Sequence, residues 1–177
     1  TVARGAGYFS DPYKVFDRRP RESNNVTALL RWKHFHVASA GTSRLSYRYY
    51  NDSFGIRAHT AGLEYVQPVG RHWSVTPSVR LYTQGAADFY VPVDPLAAPF
   101  PTNPPAGARF YTEDQRLSAY GGRTLGLRIA RQYGAWLIDL KAERYAQRGS
   151  WRIGGSGSRH LAPFDAHSLQ LGLARPF

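Results

Sequence analysis

Apolar and polar residues alternate one by one along much of this chain. Residues 73–89 show the pattern most clearly. The odd positions Trp73, Val75, Pro77, Val79, Leu81, Thr83, Gly85, Ala87 and Phe89 are largely apolar. The even positions Ser74, Thr76, Ser78, Arg80, Tyr82, Gln84, Ala86 and Asp88 carry the hydroxyls, the amide and both charges. Successive side chains of a strand point to opposite faces, so a period of two predicts a strand with one apolar and one polar face. Pro77 lacks an N–H, and predicts a bulge or a local edge in that strand.

The same test predicts six further strands, near 26–36, 44–50, 58–67, 116–131, 135–147 and 168–177. Val26, Ala28, Leu30 and Trp32 share one face of the first, and Arg31 and Lys33 the other. Leu45, Tyr47 and Tyr49 oppose Arg44, Ser46 and Arg48. Ala61, Leu63 and Tyr65 oppose Thr60, Gly62 and Glu64. Leu117, Ala119, Leu125, Leu127 and Ile129 oppose Arg116, Ser118, Tyr120, Thr124 and Arg128. Trp136, Ile138, Leu140 and Ala142 oppose Asp139, Lys141, Glu143 and Tyr145. In the last strand Leu169, Leu171, Leu173 and Phe177 oppose Ser168, Gln170, Gly172 and Ala174. Arg123 and Arg144 fall on the apolar parity. A bulge at Gly121-Gly122 would turn Arg123 back to the polar side, and Arg144 is expected near the rim of the apolar band.

Seven such strands predict an all-β fold. Trp73 and Phe89 bracket the aliphatic band of residues 73–89 as two outer interfacial girdles would, and the opposite face is polar, as in a transmembrane antiparallel β-barrel with lipid outside and a wet lumen inside. Loop lengths orient it. Short connections near 38–42, 68–72 and 132–134 alternate with long ones at 1–25, at the Pro-rich 91–114 and at 148–165. The short turn at 51–55 interrupts that alternation on the long-loop side. The long segments are expected as outer loops of a single barrel segment spanning residues 1–177. Seven strands close too narrow a ring for so many large polar residues. The chain is therefore expected to be part of a larger barrel, completed by further strands or other subunits.

Composition changes this picture little. The mean hydropathy of −0.45 is low, but a barrel strand is only half apolar. No stretch of 18 consecutive apolar residues offers a transmembrane helix. With no cysteine among the 177 residues, disulfides, thiolate metal sites and Cys nucleophiles are excluded. The formal charge of +11 fits nucleic acid, anionic lipid or an anion-attracting lumen. Arg is spread along the chain rather than clustered, so no nucleic-acid partner is expected.

The terminal aromatic Phe177 resembles the assembly signal of bacterial outer-membrane barrels, which implies recognition by the barrel-assembly machinery and a Gram-negative outer-membrane location among lipid and lipopolysaccharide. The stretch Gly7-Tyr8-Phe9-Ser10-Asp11-Pro12-Tyr13-Lys14-Val15-Phe16-Asp17-Arg18-Arg19-Pro20 goes further. With Leu45-Ser46-Tyr47-Arg48-Tyr49-Tyr50, Gly55-Ile56-Arg57-Ala58-His59-Thr60, Gln67-Pro68-Val69-Gly70, Ala86-Ala87-Asp88-Phe89-Tyr90, Arg116-Leu117-Ser118-Ala119-Tyr120-Gly121 and Leu171-Gly172-Leu173-Ala174-Arg175-Pro176-Phe177, it resembles the domain-of-unknown-function family numbered 3570. The resemblance implies an outer-membrane barrel longer at the N-terminus, and no established catalytic residue. Through neighbouring genes it implies a periplasmic or lipoprotein redox partner.

The candidate chemistry lies on the polar face. Arg31, Lys33, Arg44, Arg48, Arg80, Arg116, Arg128 and Lys141 are expected to line the lumen with Glu64, Asp88, Asp139 and Glu143. Eight cations against four anions favour an anion-preferring, porin-like pore; the alternative is a plugged lumen in which these charges pair across strands. The loop 11–21 mixes Asp11, Lys14, Asp17, Arg18, Arg19 and Arg21 with Tyr13 and Phe16, and is expected to fold inward as a constriction, to bind a surface ligand, or to pack on the rim by ion pairs. His34 and His36 have ligand chemistry at strand spacing but no nearby carboxylate, so no metal or other cofactor is expected. His167 and Ser168 point to opposite faces and cannot act as base and nucleophile, and no enzyme is expected. Three classes of function remain: a porin-like channel, a structural barrel that anchors or sheathes an extracytoplasmic redox or lipoprotein partner, and an enzyme acting on lipid.

Overall fold

A computed structural model describes residues 2–3, 14–15, 17–92 and 107–175. Two short strands, β1 (Val2–Ala3) and β2 (Lys14–Val15), pair antiparallel. Seven long strands follow: β3 (Asn25–His36), β4 (Gly41–Asp52), β5 (Arg57–Val69), β6 (Trp73–Gln84), β7 (Tyr120–Tyr133), β8 (Trp136–Arg148) and β9 (Phe164–Ala174). They form one antiparallel sheet in chain order, with β3 and β9 at its two edges. The sheet is not closed into a ring. Among the described residues no helix is long and apolar enough to cross a membrane.

The alternation of the sequence is carried through every strand pair. Cross-strand neighbours such as Lys33, Arg44, Glu64 and Ser78 share one face. Trp32, Leu45, Leu63, Val79 and Leu125 share the other. Short hairpins fix these registers. At the tightest, Tyr133 pairs with Trp136, and Gly134 between them has φ +55°, a left-handed value that glycine adopts without a steric penalty. At 52–56 the carboxylate of Asp52 accepts from the N–H groups of Phe54 and Ile56, both at 3.0 Å.

Two expectations about local geometry are corrected. Gly121-Gly122 hosts no bulge. Arg123 pairs with Leu81 and Ala146 in an unbroken register and stays on the apolar face. Pro77 causes no bulge either. Its ladder to β5 lapses opposite Tyr65 and Val66, then resumes in the same register at Gln67 and Val75. The missing N–H removes a bond without moving the chain.

The strand ends are corrected as well. β6 stops at Gln84, and residues 85–87 leave the sheet. β7 begins at Tyr120 after a single 3-10 turn, Gln115–Leu117. Asp88 and Arg116 therefore lie off the strands on which they were expected. Phe89, expected in an outer aromatic girdle, packs instead against Phe54 and Phe110. Phe177 and residues 4–13 lie outside the described residues, as do most of the Pro-rich loop.

Candidate functional site

Along β7 and β8 exposure is inverted relative to a water-soluble fold. On β7 and β8 the apolar-face residues Leu125, Leu127, Ile129, Leu140 and Ile138 are exposed, while Thr124, Gly126, Arg128, Asp139, Lys141 and Glu143 between them are half-buried. Leu125 is 55% exposed and Leu171 78%. A groove across the polar face is lined by Arg31, Lys33, Arg44, Glu64, Arg80, Lys141 and Glu143. Small residues form its floor. A Cβ on Gly62 would stand 2.7 Å from the Ser46 hydroxyl, and one on Gly126 would stand 2.5 Å from that of Ser78.

Ten of the twelve residues expected to line a lumen share this face: Arg31, Lys33, Arg44, Arg48, Glu64, Arg80, Arg128, Asp139, Lys141 and Glu143. Three cations are paired. Arg44 lies 3.8 Å from Glu64, Arg128 donates to Asp139 at 2.8 Å, and Lys141 lies 2.9 Å from Glu143. Arg31, Lys33, Arg48 and Arg80 have no acidic partner among the described residues. Arg31 and Arg80 sit in one cross-strand row separated by Ser46 and Gly62, which leaves space between them.

Above the groove stands an aromatic tier that the sequence reading left out of the site. Tyr82 lies 5.6 Å from Tyr120, and Tyr145 lies 6.0 Å from Phe164. Tyr82 and Tyr145 each donate to a glutamine two residues on, Gln84 at 2.5 Å and Gln147 at 2.8 Å. Their shared parity was the available signal, but tyrosine alone names no chemistry.

At the long-loop end the loops are tied together by polar contacts. Gln84 donates to the carbonyls of Ser118 at 2.7 Å and Arg116 at 3.0 Å. Arg18 and Tyr111 exchange backbone bonds, and Ala119 and Ser158 tie the two loops together. Thr112 and Ser118 are completely buried. Asp114 is the hub, accepting from Arg116 at 2.6 Å and Arg19 at 2.9 Å. Arg116, then Arg19, hold its carboxyl well below the usual range, at about 2. Arg19 also pairs with Asp17 at 2.6 Å. The described part of the 11–21 loop is thus packed by ion pairs on its neighbours.

On the apolar face, aromatic and cationic side chains collect at two levels. Near the short turns Trp32 stacks on His34, His34 meets His36 edge-on, and Arg131 and Arg175 lie over Trp73 and Trp136. His36 is hydrogen-bonded to Ser43 at 2.7 Å. No group of three His, Asp or Glu side chains among the described residues is placed to hold a metal ion. Near the long loops Tyr47 meets His59 at 2.6 Å, and Arg123 lies 4.0 Å over Trp151.

A single twisted sheet, apolar and exposed on one face and basic on the other, defines the class of molecule. Residues 1–168 match the family model described as "Protein of unknown function (DUF3570)", and the chain belongs to that family. No curated protein and no solved structure matches it.

Proposed function

We propose that this sheet is part of the wall of a transmembrane β-barrel in a Gram-negative outer membrane, and that its polar face lines a porin-like lumen preferring anions. The inverted exposure carries this reading. Large apolar side chains are exposed on all seven long strands, and along β7 and β8 they are more exposed than the charged residues between them, a liability in water and the expected state against lipid. The aromatic levels at its two ends suit headgroup interfaces. The preference follows from the four cations without an acidic partner, whose field low-dielectric walls focus into the lumen. Further strands, from this protein or from other subunits, complete the wall at β3 and β9.

The test is conductance of the full-length protein in a planar bilayer under a salt gradient. The reversal potential should show anion preference. The triple variant Arg31→Gln, Lys33→Gln, Arg80→Gln should move it toward cations, and the difference should shrink in 1 M salt, where the Debye length is about 3 Å. An unchanged reversal potential means these side chains do not line the path. The knitting of loop 107–119 onto Gln84 favours a second reading, a capped structural barrel, and absence of any conductance selects it.

A further inference from the structure

We infer that Arg123, Arg144 and His167 form a docking site for the phosphate of a phosphorylated glycolipid, with one acyl chain lying in the groove beneath them. This rests on the membrane reading above and goes beyond it by naming the lipid chemistry and the residues. Both arginines break the alternation of their strands, and the unbroken register keeps them outward. Arg144 pairs directly with His167 on β9 and with Leu125 on β7, two residues from Arg123. Such diagonal neighbours are about 7–8 Å apart. Three cationic or donor side chains thus meet on three adjacent strands of an otherwise aliphatic surface.

They keep a cationic excess, because one carboxylate is shared among the arginines here. Among the described residues the facing carboxylate is Asp165, 4.0 Å from Arg144, and it is taken more closely by Arg148 at 2.5 Å. The Arg123 guanidinium carbon lies 4.0 Å from the centre of the Trp151 ring, a cation–π contact that uses none of its N–H groups and leaves them to donate. Planar guanidinium edges suit phosphate oxygens, which they grip in pairs.

The groove below is amphipathic. It is lined by Leu125, Leu127, Ala142 and Leu169, with Arg144 and His167 at its upper end. Ala142 is the small residue that opens it between larger neighbours. Gly126, Glu143 and Ser168 also border it, but they fall on the opposite parity of their strands, so the outward lining suits an aliphatic chain capped by an anion.

Depth agrees. Eight residues of β7 separate Arg123 from Arg131, which lies over Trp73 at the opposite level. That is about 27 Å along the strand, or about 20 Å along the membrane normal at a tilt of about 40°. Arg123 therefore stands at the long-loop rim of the aliphatic band; Arg144 and His167, level with Leu125, stand one outward pair further in, from where a long side chain reaches up to the headgroups.

The test uses the full-length protein and flotation with neutral phosphatidylcholine vesicles, alone or doped with diphosphoryl lipid A or its dephosphorylated form. The native protein should bind the diphosphoryl lipid about tenfold more tightly than the dephosphorylated one. Arg123→Gln/Arg144→Gln should abolish that preference while still inserting into neutral vesicles, and Arg31→Gln/Arg80→Gln on the other face should keep it. Insertion of the native protein with no preference for phosphate overturns this inference and leaves the membrane reading standing. Equal preference in the Arg123/Arg144 variant overturns the assignment of these residues. Failure to insert into any vesicle overturns both readings.

Discussion

Two residues at the long-loop end show how much depends on single atoms. A Cβ added to Gly121 would stand 2.1 Å from the Trp151 carbonyl oxygen, a backbone atom that can give way only if its loop shifts. Gly121→Ala should cost about 1–3 kcal/mol through overpacking and lift the loop that carries Trp151. Faster tryptic cleavage at Arg152 and a red-shifted tryptophan emission would report it. Gly85→Ala is the control, since its nearest neighbour is Arg152 Nη2 at 3.6 Å, an ordinary contact. Asp114 gives the loops a pH dependence. Its folded carboxyl, held at about 2 chiefly by Arg116, lies below the ordinary value of 3.8. A depressed carboxylate contributes stability that is fully present above the unfolded value and lost as pH falls through the folded one. The urea midpoint of loop opening should therefore fall between about pH 4 and 2, and Asp114→Asn should lower it at neutral pH and flatten that fall. Tyr90 acts at the opposite end. Burial, then Glu113, pushes its hydroxyl up to about 12, so its contribution holds up to the ordinary value near 10 and is lost as pH rises toward 12.

At the scale of the strand, period two placed all seven long elements, because the pattern is local and each residue reports its own face. The errors lie where local pattern and long-range bonding part company. Gly85, Ala87 and Phe89 continue the apolar parity of β6, yet the chain leaves the sheet after Gln84. There the Gln84 side chain meets the carbonyls of Arg116 and Ser118 more than thirty residues on. No periodicity encodes that bond. It removes both Asp88 and Arg116 from the strands to which alternation had assigned them. Arg123 was unreadable for a related reason. An outward arginine looks like an error of register until Trp151, from the loop between β8 and β9, is seen beneath its guanidinium. On the proposed barrel, Leu127→Arg, midway along the apolar face of β7, should cost about 2–4 kcal/mol of stability in a bilayer. In a sheet facing water the same change at a 44% exposed leucine would be neutral. Urea unfolding of the inserted protein therefore separates the two environments with one substitution.

At the scale of the molecule, what governs everything is that the sheet has two free edges. Among the described residues β3 pairs only with β4, and β9 only with β8, so each presents a row of backbone N–H and C=O groups. Both edges carry long apolar runs: Leu30 is 67% exposed and Leu171 78%. An uncovered edge of that kind recruits other strands in water, and unpaired backbone groups are not tolerated in hydrocarbon. The two faces of the sheet set its environment, but the edges decide whether it is a wall at all. A barrel completed by additional strands protects every amide of β3 and β9; a sheet that ends there leaves alternate amides open. Hydrogen–deuterium exchange of the full-length protein in vesicles distinguishes these states. Peptides covering 25–36 and 164–174 should exchange as slowly as those covering β5 and β6, which are bonded on both sides. Rapid exchange confined to the two edge peptides, with the centre protected, would mean that the wall stops at β3 and β9, and that the basic face borders an open cleft rather than a lumen.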